Sequence, residues 1–586
     1  MKKYLFIALA ALGFAACAEK IDDNTPHNGE VENSYIAVSL SATDPATRAN
    51  DGTYQEGTAD ERAVETAYFF FFEEDGDAFP VTLSDGAANL PGGTHNYLQA
   101  TINPTTGKDM PNVSDIKNVV LLLKSYKGTH PAQIVAVLNW VPTEDTYSLT
   151  GLQNKLVDVR NNDMDDKFIM SNAVYATEES PATAVYATPL TAENIFTDEV
   201  NAKANPVTIF VERAAAKVTV TTTGGETVFD LNKPVTLGSS NTPVYAKIVG
   251  WELYNDYQQS YLVKKIDPTW TNADLGFTWN DSPWYRCYWA ISDTDEFDDN
   301  EFQYEYVDGE NKSYGYDFGT EENVAKGTYA ENTYTYCGEN TNRIGSDRTK
   351  VILKAQLQDG NEEPVELARW YTTEYLGEGD LITAVANTLK YTLYYKDPES
   401  NNFIGLKPAD LQCVSPEYDA NGNITNNAPA DIKPYEVFFQ LSQTGQEKEW
   451  YINNNGTKEP MGEASLDPNG IAATNTYLAG EVETAILYKS GQTYYYFDIQ
   501  HLGNLNDAIV QIGEYGVVRN HIYAININSI GGYGSPIYMG TSSIITPPEY
   551  PVDPDDEETS YVAAEVRILS WRLVSQSVNI EPTPGV

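Results

Sequence analysis

Apolar positions in this chain recur mostly at every second residue, which is the spacing of half-buried strands. Ile36, Val38 and Leu40 alternate with small or polar residues across 35–41. The same habit predicts strands over 67–73, 119–125, 134–140 and 207–220. A second block of strands is predicted over 245–254, 351–357, 387–395, 436–441, 485–489, 494–499 and 517–527. Gly531, Gly532 and Gly534 end the last of these. The intervening stretch 257–340 is rich in Tyr, Asp and Asn and reads as long loops with short strands.

The two chain ends break this regular picture. Lys2 and Lys3 precede a short apolar run, and Ala15 and Ala16 precede Cys17. That is the pattern of a bacterial lipoprotein leader: the run is too short to span a bilayer, and Cys17 is the expected lipidation site. Residues 18–33 are polar and without period, as expected of a tether. Residues 42–57 form a predicted loop of small residues, and Arg48 is the only arginine before Arg62. Loops of this composition are where proteases cut, so the Arg48–Ala49 bond is the expected cleavage site.

At the other end, 547–558 carries four prolines and a run of acids, the composition of an extended linker. Beyond it Val562, Ala564, Val566 and Ile568 alternate with Tyr561, Ala563, Glu565 and Arg567, and Trp571 and Leu573 continue the apolar content. A lone strand is unstable in water. Burying five of these side chains would supply roughly 7–15 kcal/mol gross, so the strand needs a groove in its own chain or in another molecule. If a cut after Arg48 removed the strand holding Ile36, Val38 and Leu40, the tail of a neighbour could fill the vacancy. Such β-strand addition is head-to-tail and grows into a filament when it does not close.

Charge and composition narrow the classes. The chain has 37 basic and 84 acidic residues, a formal net charge of −47, which argues against nucleic acid as a partner. Aromatics reach 12 %, with 41 Tyr and only 6 Met, in keeping with strands and turns. With Cys17 lipidated, Cys287, Cys337 and Cys413 remain; spacing leaves open both a Cys287–Cys337 bridge and three isolated thiols. The five histidines, at 27, 95, 130, 501 and 521, show no zinc spacing. Ser114 and Lys117 match Ser-x-x-Lys without the companion Lys-Thr-Gly. Asp293, Asp295, Asp298 and Asp299 lack the offsets of a calcium loop. No enzyme activity and no cofactor is expected. A cell-surface glycan-binding lipoprotein, with Trp and Tyr as sugar platforms, is the alternative; it would have no use for a strand on a proline spacer.

Several segments, in order along the chain, carry a resemblance: 12–17 before the lipidation site, Thr47-Arg48-Ala49, 211–218, 261–265, 518–523, the Pro/Asp linker and 564–572. In these the chain resembles the fimbrillins of Bacteroidales type V pili, especially the Mfa-type shaft subunits of short (minor) fimbriae. The resemblance implies an all-β fold: two transthyretin-like β-sandwich domains in tandem plus a C-terminal donor strand. The corresponding boundaries are a signal peptide 1–17, a propeptide 18–48 whose first strand is removed on maturation, sandwiches 49–222 and 223–546, a linker 547–558 and a donor segment 559–586. It also implies cleavage at Arg48–Ala49 by an extracellular Arg-specific protease. Identical subunits would join head-to-tail, with accessory tip or anchor fimbrial proteins and roles in adhesion and biofilm formation. The precursor would be held in the outer membrane by its lipid, and the mature form would lie in the extracellular fimbrium. Two features depart from the pattern: Glu581 to Val586 adds Pro582 and Pro584, and Ser570 stands where a proline is expected at the bend of the tail.

Overall fold

The computed structural model describes residues 31–41, 58–82, 94–100, 119–265, 333–341, 348–501 and 515–536 with short breaks, and the paired segments 303–304, 543–544, 561–569 and 573–577. Within them the chain is all-β with a few helices. No helix among the described residues is long and apolar enough to cross a membrane.

The leading sheet is built from β1 (Val31–Ser41), β2 (Ala67–Phe72), β3 (Tyr97–Ala100), β4 (Val119–Tyr126), β5 (Gln133–Leu138), β6 (Met170–Asn172) and β7 (Val207–Arg213). Its order is β3-β2-β5-β6-β7-β1-β4, and the short strand Thr188–Pro189 adds to β5. All described pairings in it are antiparallel except β1 with β7. Strand β2 of this sheet is buried on both faces. Phe69 and Phe71 enter one core with Ile36, Leu121, Leu123, Ile209 and Val211. Tyr68, Phe70 and Phe72 point the other way, into a core shared with the next part of the chain. The period of two thus places successive aromatics in different cores.

The chain passes through Ala214 and Ala215 into β8 (Ala216–Thr222), so the predicted strand 207–220 is two strands in two sheets. With β9 (Tyr245–Tyr254), β10 (Tyr334–Cys337), β11 (Lys350–Gln358), β12 (Gln492–Asp498), β13 (Ile522–Gly531), β14 (Tyr561–Leu569) and β15 (Leu573–Ser577) it makes two five-stranded sheets. One is β10-β8-β13-β14-β15; the other joins Val228–Asp230, β9, β11, β12 and Ser535–Pro536. Val218, Val220, Ile525 and Ile527 of the first sheet share a core with Ile248, Leu253, Leu353 and Leu357 of the second, which makes a β-sandwich.

Between β11 and β12 lies a segment with its own core. Strands Leu367–Trp370, Leu393–Lys396, Glu436–Leu441, Trp450–Asn454 and Ala485–Tyr488 and the helices Gly377–Leu389 and Ile471–Glu481 surround Leu381, Val385, Phe439, Trp450 and Leu478. The strand expected over 387–395 begins only at Leu393, because Leu381, Val385 and Leu389 fall four residues apart and draw 377–389 into a helix.

Candidate assembly groove, tail strand and junction

Strand β1 lies in a slot of the leading sheet. It runs antiparallel to β4 over its first eight residues, with Ile36 opposite Leu121 and Val38 opposite Val119. On its other edge it runs parallel to β7, with Val38 opposite Val207 and Leu40 opposite Ile209. Tyr35 N donates to the Phe196 carbonyl at 2.6 Å, and Phe196 N donates back at 3.0 Å. Ile36 is fully buried, and Ser34, two residues before it, is 4 % exposed, so both face the core. Within the described residues the one ladder that joins β4 to the sheet is that with β1; a single bridge adds to it, Lys124 N donating to the Val81 carbonyl at 2.9 Å. Removing β1 would unpair the inner edges of β4 and β7, and each buried group left without a partner costs about 1–3 kcal/mol.

The tail packs on its own chain. Strand β14 runs antiparallel to β13, with Val562 opposite Ile530, Ala564 opposite Ile527, Val566 opposite Ile525 and Ile568 opposite Tyr523. A bulge interrupts the ladder between Ile527 and Ser529. Strand β15 folds back on β14, with Leu573 opposite Leu569, and forms the edge of the sheet. Trp571, Cys17, Arg48 and Ala49 lie outside the described residues, as do the Ser-x-x-Lys match, the aspartates at 293–299 and Cys287. Cys337 is a buried free thiol and Cys413 a half-buried one. Burial, with Asp256 nearby, pushes the Cys337 thiol up.

Three of the segments singled out in the sequence meet where the leading sheet joins the sandwich. Glu61, in the short turn Asp60–Arg62, is 1 % exposed. Its carboxylate accepts from Lys217 Nζ at 2.6 Å, from the Tyr336 hydroxyl at 2.5 Å and from Thr58 N at 2.8 Å. Its carbonyl oxygen accepts from Arg213 Nε at 2.6 Å, and Arg213 Nη1 also donates to Asn520 Oδ1 at 3.1 Å. Asn520 N closes the circuit on the Ala215 carbonyl at 2.7 Å. Lys217 Nζ sits 4.0 Å from the centre of the Tyr334 ring, a cation–π contact.

A second buried pair adjoins the first. Arg519 and Glu339 meet at 2.7 Å with Arg519 fully buried, and Arg519 also donates to the carbonyls of Tyr261 and Leu262. Beside Glu339, Gly338 lets the chain pass close to the strand Gln259–Tyr261: a Cβ there would lie 2.3 Å from the Gln259 carbonyl oxygen. Glu212 and Lys264, both buried, lie 4.0 Å apart.

Burial raises the Glu61 carboxyl, but the charge and hydrogen bond of Lys217, the Tyr336 hydroxyl and the Arg213 charge together hold it below its ordinary 4.5. Burial lowers the Lys217 ammonium to about 8 against the pull of Glu61. Pairing alone would raise Lys217, so burial is the stronger effect on that partner. Glu61 carries three donors on its carboxylate, and its direction sets the acid sensitivity of the junction. The sequence reading missed Glu61, Lys217 and Tyr336 as a group. Its traces were the Thr58-x-x-Glu61 capping pattern and a lysine inside the apolar run of β8.

Residues 486–577 match the family described as major fimbrial subunit protein type IV, fimbrillin, C-terminal. The matched span holds both β13 and the tail hairpin docked on it. Over that span the chain is similar to the C-terminal region of fimbrillins. The matched span begins in the last strand of the 367–488 segment and runs through β12, β13, β14 and β15. No curated protein matches the chain. Among solved structures, a putative cell adhesion protein from Parabacteroides distasonis is 14 % identical, with 92 % of this chain and 98 % of that chain covered and a TM-score of 0.33. A fimbrilin from Porphyromonas gingivalis is 12 % identical, with 91 % and 96 % covered and a TM-score of 0.33. The tip fimbrial protein Mfa3 from Porphyromonas gingivalis, truncated at its C-terminus, is 12 % identical, with 92 % and 99 % covered and a TM-score of 0.22.

Proposed function

We propose that this chain is a structural subunit of a surface fimbria, polymerising by protease-triggered strand exchange and serving adhesion and biofilm formation. In this reading the precursor is lipidated at Cys17 and held in the outer membrane. An extracellular Arg-specific protease cuts Arg48–Ala49 and frees the segment holding Ile36, Val38 and Leu40. The donor segment 559–586 of a neighbouring copy then enters the slot, on the far side of the 547–558 linker. In this reading the chain serves as a shaft subunit of the Mfa type, with accessory tip or anchor proteins as further partners and the leading sheet and the β-sandwich as the repeating body.

The observation that carries this reading is the dependence of β4 on β1. A strand that supplies the whole ladder joining its neighbour to the sheet leaves, on departure, a slot with backbone edges on both sides. The tail in its own sheet has β13 on one side and only the five-residue β15 on the other. In the slot the tail would face eight positions of β4 and four of β7, against the nine of β13 and five of β15 that it leaves, and its apolar side chains would enter the core that Ile36 occupies. Treating the purified precursor with an Arg-specific protease tests this. The expected result is an N-terminus at Ala49 followed by SDS-resistant ladders; a cut protein that stays monomeric overturns it.

A further inference from the structure

The dipeptide Arg-Ala occurs at three places, Arg48–Ala49, Arg62–Ala63 and Arg213–Ala214, so local sequence does not tell a protease which to cut. Cleavage at Arg62 would strip away the turn that leads into β2. We propose that the Glu61 junction is a stop that confines processing to the first of these bonds by locking 58–65 onto the body of the protein. This rests on the maturation reading for what happens at Arg48, but concerns a different bond.

The hydrogen bonds and ion pair of the lock do not involve β1. Thr58 and Glu61 cap the turn reciprocally, Thr58 N on Glu61 Oε2 at 2.8 Å and Glu61 N on Thr58 Oγ1 at 3.2 Å. Lys217, Tyr336 and Arg213 hold Glu61 from three sides. Immediately after the bond, Ala63 and Val64 are buried. Asn139 Nδ2 donates to the Ala63 carbonyl at 2.8 Å, and Glu65 N donates to Asn139 Oδ1 at 2.8 Å. A protease takes its substrate as an extended segment, so cutting Arg62–Ala63 requires all of these contacts to open together. Strand β1 shares a core with Val64 but can leave without breaking any of these hydrogen bonds or the ion pair. Arg213–Ala214 lies in the core, with both residues buried, and is reached only by global unfolding.

The full-length chain is digested with an arginine-specific endopeptidase, and the new N-termini are identified by mass. In the wild type, Arg62 and Arg213 stay intact. Glu61→Ala should be cut at Arg62 at least roughly tenfold faster, because local opening controls the rate. Should Glu61→Ala unfold, exposing Arg213 as well, the double variant Glu61→Leu/Lys217→Met decides, since an apolar pair of similar volume keeps the fold while removing the acceptor for Thr58 and Tyr336. Cutting at Arg62 with Arg213 intact supports the stop. A folded double variant resistant at Arg62, or a wild type cut at Arg62 as readily as at Arg48, overturns it. An uncut Arg48 in the wild type would sink the maturation reading and leave the Arg62 comparison readable.

Discussion

Ile36 sits directly opposite Leu121, and through that pairing the first strand of the chain ties β4 to the rest of the leading sheet. Both side chains are buried in one core with Phe69, Phe71 and Ile209. The hydrophobic content of the slot is therefore supplied by a strand that, in the proposed maturation, is temporary.

Ile36→Ala should destabilise the uncut precursor by about 2–5 kcal/mol, the usual cost of such a core truncation. The assembled polymer should be unchanged, because residue 36 has gone. Denaturant unfolding of the precursor and heat resistance of the polymer measure the two; a loss in both would mean that β1 stays in place.

Val566→Asp should block assembly while leaving cleavage at Arg48 intact, since a buried unpaired charge costs several kcal/mol. Ladder formation equal to the wild type would show that Val566 is not buried in the subunit contact.

The strand pattern was legible because period-two alternation reports a half-buried sheet directly, as in 35–41 and 561–569. The partner of a strand was not. The alternation of Val562 to Ile568 fits any open edge, and its ladder on β13 came from the fold alone. The two buried clusters, Glu61 with Lys217 and Tyr336 and Arg519 with Glu339, were also hidden, since their members lie far apart in sequence and a charged side chain such as Lys217 in a strand reads by default as solvent-facing. The segment 367–488 read as part of the second block because its strands alternate like the others; the four-residue spacing of Leu381, Val385 and Leu389 was the overlooked helical signal.

Glu339→Ala should cost about 3–5 kcal/mol, because Arg519 is left charged and without its carboxylate in the core. Arg519→Met combined with Glu339→Leu should recover most of that loss. Equilibrium unfolding of the two variants checks both statements, and a single variant as stable as the wild type would remove the pair from the account.

Acid should loosen the junction through Glu61. Its folded-state carboxyl lies below 4.5, so its contribution is fully present above about 4.5 and is lost as the pH falls through the folded value. Glu61→Gln should be less stable than the wild type at pH 6, and the gap should close towards pH 3. A gap independent of pH would show that the carboxylate charge contributes nothing.

The most direct measurement is disulfide trapping in the assembled polymer. With Cys287, Cys337 and Cys413 replaced by Ala, Leu121→Cys is combined in turn with cysteine at Val562, Ala564, Val566 and Ile568. Tail exchange predicts that at least one combination joins successive subunits into a covalent ladder under non-reducing, denaturing conditions. If no tail position joins Leu121 of another chain, while Val566→Cys still bridges to Ile525→Cys within its own chain, the tail has not left its body and strand exchange is contradicted.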